Sequence, residues 1–381
     1  MRIAIDYTPA IVQTAGIGRY TRELVAALAR LESGDDFTLF SADRPVPERP
    51  FPQAPNMRTR LVPVGNLNLT RFWQRLRVPL PASVLMGRAD VIHGPDFILP
   101  PVTIGAATVV TIHDLAFLTH PECAVPSLAR YLSNVVPRAV RKADCVIADS
   151  QSTADDLVRL LDTDPKKVRP ILLGISPRLS PQRDEAAIAR LRAAHRIEAP
   201  AVVAVGTVEP RKNYARLVTA FAEATRAPGG PRTLVIAGRK GWLYDDVFAA
   251  IEQSGVGDRV RMLDFLPDAD LPTLYHLADV LAMPSIYEGF GIPAAEAMAS
   301  GTPVVYGDVS SLPEVVGDAG LGVPPEDVGA LRDALLRVLR DDALRRTLIA
   351  RGLARAARFS WDTAAAAHLE VYHEAARRHR S

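Results

Sequence analysis

The chain has 381 residues, of which 48% are hydrophobic and 23% charged, an ordinary composition for a globular protein long enough for two domains. A net charge of +2 argues against a nucleic-acid partner, and the two cysteines, Cys123 and Cys145, have neither metal-binding nor redox spacing. No apolar run reaches the roughly 20 residues that a membrane span needs, and the N-terminal run is too short for a signal peptide. We therefore expect a cytoplasmic protein, either free or in peripheral contact with the inner membrane surface.

Apolar strands alternate with amphipathic helices through the first half of the chain. Strands are predicted at 2–7, 37–40, 90–93, 108–113 and 143–148, and helices at 18–31 and 151–161. Such alternation is typical of a parallel, doubly wound sheet.

The pattern stops near residue 174 and restarts after a charged helix at 183–195. Further strands are predicted at 201–206, 233–238, 260–263, 279–284 and 304–306, with a helix at 213–224 and a last one at 359–380. We expect two tandem Rossmann-like α/β domains, with a hinge at about 174–197. Because ligands bind at the carboxyl ends of parallel strands, an active site is expected in a cleft between the two domains.

The most informative segment is 288–296, with the sequence EGFGIPAAE, which lies between two predicted strands. Its glycines predict a tight loop, Pro293 suits the start of a helix, and Gly301 suits the position after that helix. A helix N-terminus presents free backbone N–H groups and favours an anion. Glu288 and the Glu296 of the expected first turn would repel a phosphate, so they are expected to accept hydrogen bonds from sugar hydroxyls. A nucleotide sugar combines both features.

The same segment resembles the E-x7-E signature of retaining GT-B glycosyltransferases, in particular glycosyltransferase family 4. The neighbouring words 274–279 (LYHLAD) and 299–305 (ASGTPVV) are similar to that family too. By this resemblance Glu288 holds hydroxyls of the transferred sugar and Glu296 holds the nucleotide ribose. The resemblance also implies that the loop of Gly289, Phe290, Gly291 and Ile292 binds the sugar or phosphate through backbone N–H groups.

The segment 206–213 (GTVEPRKN) follows a strand and opens a helix. Two adjacent cations at a helix start are unfavourable unless an anion binds there, although a solvated basic turn explains them about as well. The family resemblance favours Lys212 as a catalytic diphosphate ligand. Many members carry an arginine after the first glycine, where this chain has Thr207, and Arg211 is the candidate to replace it.

Two further motifs lie at predicted strand ends in the first domain. Gly16 and Gly18 form a glycine loop that is weak evidence alone, and the resemblance implies that it approaches the donor phosphate and the acceptor. A lone histidine at a strand end is most often structural, but the resemblance to the family's H-D motif implies that His113 makes a catalytic contact with the donor sugar. Asp114 would orient the loop or bind the acceptor, and His93 is expected to be structural.

Residues 66–80 (NLNLTRFWQRLRVPL) mix arginine with aromatic and aliphatic side chains. This pattern fits a helix on an anionic membrane surface that presents a lipid-linked acceptor, and it fits equally an amphipathic helix packed on its own domain.

The resemblance covers nearly the whole chain and implies a GT-B fold with three parts. These are an acceptor-binding domain at 1–175, a nucleotide-sugar-binding domain at 176–358, and a C-terminal helix at 359–381 that crosses back to the first domain. The implied activity is retaining, metal-independent transfer of a hexose to a hydroxyl of a glycan or lipid-linked acceptor, in surface-polysaccharide or glycoconjugate assembly. No cofactor is expected.

The words 111–118 and 206–213 are most similar to mannosyltransferases of surface-polysaccharide assembly, which favours GDP-mannose as the donor. A UDP- or ADP-sugar donor and a nucleotide-sugar epimerase of the same fold remain alternatives. A nicotinamide-dependent oxidoreductase is disfavoured because no complete G-x-G-x-x-G is present, and a silent scaffold is disfavoured because Glu288, Glu296 and Lys212 are intact.

Overall fold

The computed structural model describes residues 1–14, 16–46, 49–62, 65, 82–100, 105–264 and 266–380. The predicted membrane-surface or amphipathic segment 66–80 lies outside these ranges. The chain divides into two compact units. Unit 1 comprises Met1–Leu118, Ser127–Gly174 and Ser360–Ser381, and unit 2 comprises Thr119–Pro126 and Ile175–Phe359.

Unit 1 is built on a seven-stranded parallel sheet with the strand order β3-β2-β1-β4-β5-β6-β7. Its strands are β1 Arg2–Asp6, β2 Asp36–Ser41, β3 Met57–Leu61, β4 Val91–Gly94, β5 Ala107–Ile112, β6 Cys145–Ala148 and β7 Val168–Pro170. The helices described up to this point of the chain are α1 Thr8–Val12, α2 Gly16–Arg30, α3 Ala82–Met86, α4 Ala116–Thr119, α5 Pro126–Lys142 and α6 Gln151–Leu161. Strands β4, β5 and β6 are buried throughout, as expected for a parallel sheet covered on both faces.

Unit 2 is built on a six-stranded parallel sheet with the order β10-β9-β8-β11-β12-β13. Its strands are β8 Ala201–Val205, β9 Thr233–Ala237, β10 Val260–Leu263, β11 Val280–Met283, β12 Val304–Gly307 and β13 Gly320–Val323. Its helices are α7 Glu185–His195, α8 Tyr214–Thr225, α9 Asp245–Gln253, α10 Leu271–Leu277, α11 Ile292–Ala299, α12 Leu312–Val316, α13 Val328–Arg340 and α14 Asp342–Ala356. Both sheets have crossover connections through helices, which confirms the predicted pair of Rossmann-like domains.

The last helix, α15 Trp361–Arg380, belongs to unit 1 although it follows the whole of unit 2 in sequence. It packs against α2 and β5. Arg169 pairs with Glu374 of this helix, and the helix buries His368 and Tyr372 completely. The predicted return of the C-terminal helix to the first domain is therefore confirmed.

A chain of buried hydrogen bonds ties α15 to the unit 1 sheet. Tyr372 Oη lies 2.9 Å from His93 Nδ1, His93 Nε2 lies 2.8 Å from Thr111 Oγ1, Thr111 Oγ1 lies 2.9 Å from Tyr20 Oη, and Tyr20 Oη lies 2.7 Å from His368 Nε2. His368 Nδ1 donates to the carbonyl oxygen of its own helix at 2.7 Å. Burial holds the pKa of His368 at about 4, so its neutral ring accepts from Tyr20. His93 is structural, as predicted.

The core of unit 2 forms where the apolar faces of α8 and α13 cover the sheet. Leu217, Phe221 and Leu335 are fully buried there beside Val202 and Ile236 of the central strands. This packing fixes the carboxyl ends of β8 and β11, from which the loops of the candidate site emerge. Among the helices that the structure describes, none combines the length and apolar character needed to cross a bilayer.

Candidate active site

The glycine loop of unit 2 joins β11 to α11. Gly291 has a φ of 101° and stands directly before the helix, which begins at Ile292 with Pro293 as its second residue. Gly301 follows the helix end with a φ of 74°, a left-handed conformation that favours glycine. Strand β12 comes next. The predicted order of strand, glycine loop, helix and strand is confirmed.

Glu288 precedes this loop, and its carboxylate is surrounded by donors. Lys212 Nζ donates to Oε1 at 2.6 Å, and Ser285 Oγ donates to the same oxygen at 2.7 Å. Arg211 Nη1 lies 2.8 Å from Oε2. The backbone N–H of Glu288 donates to Ser310 Oγ at 2.8 Å, so the main chain is fixed as well.

These contacts decide the ionisation of Glu288. Burial alone would raise the pKa of its carboxyl, because only 6% of the residue is exposed. The positive charges of Arg211 and Lys212 and the hydrogen bonds from Lys212 and Ser285 outweigh burial, and the pKa falls to about 2. Glu288 is therefore a carboxylate at neutral pH, able to accept hydrogen bonds but not to deliver a proton.

Lys212 is held in place by the turn that follows β8. Gly206 has a φ of 143°, and a Cβ built there would lie 3.0 Å from Lys212 Cε, so glycine leaves room for the lysine stem. Asn213 has a φ of 60° and donates from its side-chain amide to the carbonyl oxygens of Pro284 and Pro325, at 3.0 and 2.6 Å. The turn is thereby attached to the β11 loop, and Lys212 is brought to Glu288 across 76 residues of sequence.

Arg211 lies between two carboxylates. Its Nη2 donates to Glu209 Oε1 at 2.6 Å, and its Nη1 donates to the Tyr287 carbonyl at 2.9 Å besides contacting Glu288. The backbone N–H of Ile286 donates to the Arg211 carbonyl at 3.0 Å. Arg211 was predicted as a diphosphate ligand, and its contacts in the structure join the two loops. Glu209 is a site residue that the sequence analysis did not predict, although it belongs to the same EPRKN motif.

Glu296 lies further along α11 than predicted. The helix begins at Ile292 because Gly291 is outside it, so Glu296 is the fifth helical residue and not part of the first turn. Glu296 is 2% exposed, and its carboxylate accepts a hydrogen bond from Tyr275 Oη at 2.7 Å. Tyr275 is a second residue that the sequence analysis did not predict, although it belongs to the LYHLAD motif. The ribose contact of Glu296 stays a prediction.

Gly289, Phe290, Gly291 and Ile292 form the turn between Glu288 and the helix. Phe290 is buried, with its ring 5.5 Å from that of Phe359. The first N–H groups of a helix have no intrahelical acceptor, so the start of α11 offers donors to an anion or a hydroxyl. In unit 2 the start of α11 thus follows closely on the carboxylate of Glu288, which is in contact with the cations Lys212 and Arg211.

His113 follows β5 in unit 1 and is 8% exposed. Its Nδ1 donates to Asp149 Oδ2 at 2.7 Å, and its Nε2 donates to the Pro95 carbonyl at 2.8 Å. Burial would lower its pKa, but the charge and hydrogen bond of Asp149, with a further contribution from Asp96, raise it to about 9. The ring is an imidazolium with both nitrogens engaged, so the predicted sugar contact requires it to exchange or share one of these partners.

Of the remaining predicted residues of unit 1, Asp114 follows β5, whereas the short helix α1 separates Gly16 and Gly18 from the end of β1. Asp114 accepts from the backbone N–H of Ala116 at 3.0 Å and so orients the loop after β5. Gly16 and Gly18 lie in the first turn of α2, after β1. A Cβ at Gly18 would lie 2.1 Å from the Gln13 carbonyl oxygen, whereas Gly16 faces open space. Their contact with a donor stays a prediction.

Comparison with known proteins connects this arrangement to a family. The model of glycosyltransferase family 4 matches residues 14–179, and the model of glycosyl transferases group 1 matches residues 188–355. The O-antigen chain mannosyltransferase B of Escherichia coli is 31% identical over 98% of this chain and 99% of its own length. The chain belongs to glycosyltransferase family 4.

Further relatives also match over nearly the whole length of this chain. The MMP alpha-(1->4)-mannosyltransferase of Mycolicibacterium hassiacum is 29% identical over 98% of both chains. Among solved structures, the sucrose-phosphate synthase of Thermosynechococcus elongatus superposes with a TM-score of 0.76 at 25% identity, covering 98% of both chains. WaaG, a glycosyltransferase involved in lipopolysaccharide biosynthesis, matches with a TM-score of 0.69 at 17% identity over 94% of this chain and 95% of its own, which shows the fold alone.

The chain is therefore an enzyme, a glycosyltransferase of GT-B fold. In unit 2 the structure brings Glu288, Lys212 and Arg211 into direct contact and leaves Glu296 in a separate contact with Tyr275.

Proposed function

We propose that this glycosyltransferase moves a hexose, mannose from GDP-mannose, to a hydroxyl of a glycan or lipid-linked acceptor in the assembly of a surface polysaccharide. The observation that carries the proposal is the ion network of unit 2, in which Lys212 Nζ and Glu288 Oε1 lie 2.6 Å apart beside the start of α11. The choice of mannose is supported by the likeness to mannosyltransferases over nearly the whole chain.

The network suits a sugar next to a diphosphate. A lysine ammonium has three N–H donors, so Lys212 can bind a phosphate oxygen while it keeps its bond to Glu288. Glu288 stays ionised at neutral pH because its pKa is about 2, and a carboxylate accepts hydrogen bonds from sugar hydroxyls. We assign the diphosphate to Lys212 and the start of α11, the sugar hydroxyls to Glu288, and the ribose hydroxyls to Glu296.

The reaction follows from these roles. The bond between the anomeric carbon and the diphosphate breaks, and the acceptor oxygen forms its new bond to that carbon on the same face. The acceptor proton passes to the departing phosphate oxygen, so no side chain of the network acts as nucleophile or base. Lys212 and the helix N-terminus stabilise the charge that grows on the diphosphate, and the proposal therefore requires no metal ion and no cofactor.

An assay of product stereochemistry tests the proposal. The protein is incubated with GDP-mannose and an oligomannose acceptor, with and without EDTA, and the new anomeric linkage is read by NMR. We expect an α-mannosyl product, the configuration of the donor, at equal rates in both buffers. An inverted product, a rate that EDTA abolishes, or transfer only from a UDP- or ADP-sugar would each contradict a part of the proposal.

A further inference from the structure

Unit 2 contains a cavity of about 700 Å³ beside the ion network. Its walls come from the turn after β8, the starts of α8 and α9, the loops after β12 and β13, and the segment 119–126. Glu209 belongs to both features: it lines the cavity, and it holds Arg211, which contacts Glu288. The cavity therefore adjoins the site proposed for the donor sugar, and its volume lies within the roughly 300–1,000 Å³ of small-molecule sites.

The charge of the lining disfavours a second phosphate site. The carboxylates that line the cavity are those of Glu122, Glu209, Asp246 and Glu326. Arg216, which also lines it, donates to Asn213 Oδ1 at 2.9 Å. Arg211 balances the charge of Glu209, but the other three carboxylates would repel a diphosphate, whereas carboxylates accept hydrogen bonds from neutral hydroxyl groups.

Apolar surface accompanies these acceptors. Leu243, Val309 and Pro325 line the same cavity. A sugar ring presents C–H groups on its faces and hydroxyls around its edge, so it matches walls that combine aliphatic surface with carboxylates. A purely apolar ligand would leave the carboxylates without hydrogen-bond partners, and a purely ionic one would gain nothing from the aliphatic walls.

Leu243 is the most unusual of these residues. It has a φ of 51°, a strained conformation for leucine, and 51% of it is exposed. The neighbouring Trp242 fixes the loop by donating its indole N–H to the Cys123 carbonyl at 2.7 Å. The loop thus presents a large apolar side chain at the cavity in a backbone conformation that glycine would adopt without strain.

We propose that this cavity of unit 2 is a subsite for the acceptor glycan, binding sugar units that do not themselves react. The inference rests on the proposed glycosyl transfer. The aliphatic side chains pack against sugar rings, and the carboxylates accept hydrogen bonds from their hydroxyls. An acceptor long enough to reach the cavity binds more tightly than a single sugar.

Two substitutions test the subsite without touching the ion network. Leu243→Gly removes apolar surface and relieves the positive φ, so its melting temperature does not fall. Asp246→Asn removes one carboxylate, and Asp245→Asn is its matched control, because both residues lie in the first turn of α9 and Asp245 does not line the cavity. Binding of mannotetraose is measured by calorimetry, and initial rates are measured with methyl mannoside and with mannotetraose.

We expect Leu243→Gly and Asp246→Asn each to raise the Kd and KM for mannotetraose by about tenfold, which corresponds to ~1.4 kcal/mol. The KM for GDP-mannose and the rate with methyl mannoside stay unchanged, and Asp245→Asn behaves as the parent. Unchanged Kd and KM for mannotetraose in both variants, with transfer intact, overturn the subsite but not the transferase. Binding of mannotetraose that Leu243→Gly weakens, in a protein that transfers no sugar, supports the subsite and contradicts the proposed function.

Discussion

Replacing Lys212 by methionine tests the ion network of unit 2 most sharply. Methionine keeps much of the length of the lysine stem and removes its charge. In the variant, the buried Glu288 carboxylate keeps the Arg211 contact at 2.8 Å and the Ser285 hydrogen bond at 2.7 Å but loses its shortest ionic partner. Since Glu288 is 6% exposed, water does not replace the missing donor.

The magnitude follows from the pKa of Glu288. Its fall from 4.5 to about 2 corresponds to about 3 kcal/mol in favour of the ionised, folded state, since a tenfold change in proton affinity is ~1.36 kcal/mol. The charge of Arg211 is the largest single favourable cause, and Lys212 contributes both its charge and a hydrogen bond. Loss of one partner of a buried ion pair typically costs about 3–5 kcal/mol, and the surviving arginine reduces this, so we expect Lys212→Met to lower the free energy of unfolding by about 2 kcal/mol.

The pH dependence has a defined sign. Because the pKa of Glu288 is lower in the folded than in the unfolded state, its contribution to stability is complete above about pH 4.5 and is lost as the pH falls toward 2. Lys212→Met raises that folded-state pKa. The stability difference between the parent and the variant therefore shrinks as the pH falls from 5 to 3.

Urea unfolding at pH 7, 5 and 3, followed by circular dichroism and tryptophan fluorescence, measures these differences. The double variant Lys212→Met/Glu288→Gln completes a mutant cycle, in which we expect a coupling energy of about 2 kcal/mol. Lys240→Met is the control, because Lys240 is exposed and its ammonium lies 4.6 Å from the centre of the Phe248 ring. A cost of Lys212→Met no larger than that of Lys240→Met, or additive costs in the cycle, would refute the reasoning.

Three further predictions concern other residues. Glu209→Gln weakens the hold on Arg211, and we expect both kcat with GDP-mannose to fall by about tenfold and the melting temperature to fall, since Glu209 is 4% exposed and a charged hydrogen bond is worth ~1.5–3 kcal/mol; an unchanged kcat would contradict this role. The pKa of His368 is about 4, so the parent loses up to about 3 kcal/mol of stability as the pH falls from 6.5 to 4, and His368→Asn should flatten a plot of unfolding free energy against pH; equal slopes would contradict it. Gly18→Ala places a Cβ 2.1 Å from the Gln13 carbonyl oxygen and should lower the melting temperature markedly, whereas Gly16→Ala, in open space, should not.

Much of the fold was predictable because apolar runs, glycines and prolines marked the same element boundaries. The run from β11 through the glycine loop and α11 to β12 is marked by two buried strands, two glycines with positive φ and a proline near the helix start. Helix α5 was not predicted, since Pro137 lies inside it and a proline usually argues against a helix interior. Strand β3 was missed because four of its five residues are exposed and it lacks an apolar pattern.

The sequence predicted the motifs of the site but not the contacts between them. The strand ends that carry His113, Lys212 and Glu288 could be identified, because motifs of known type follow apolar strands. Their partners could not: Arg211 meets Glu288 across 77 residues of sequence, and no local pattern records which carboxylate an arginine will choose. The two occupied nitrogens of His113 likewise depend on Pro95 and Asp149, which the sheet order brings together.

Nucleotide release from a panel of sugar nucleotides tests the central claim most directly. Parent, Lys212→Met and Glu288→Gln proteins are incubated with GDP-mannose, UDP-glucose and ADP-glucose in the presence of mannotetraose, and the free nucleoside diphosphate is quantified. We expect the parent to release GDP from GDP-mannose alone, and both variants to lose this activity by two orders of magnitude or more, as for removal of a group that stabilises transition-state charge (~10²–10³-fold). Release that persists in both variants, or no release from any donor by the folded parent, would contradict the assignment of sugar transfer to the Lys212–Glu288 network.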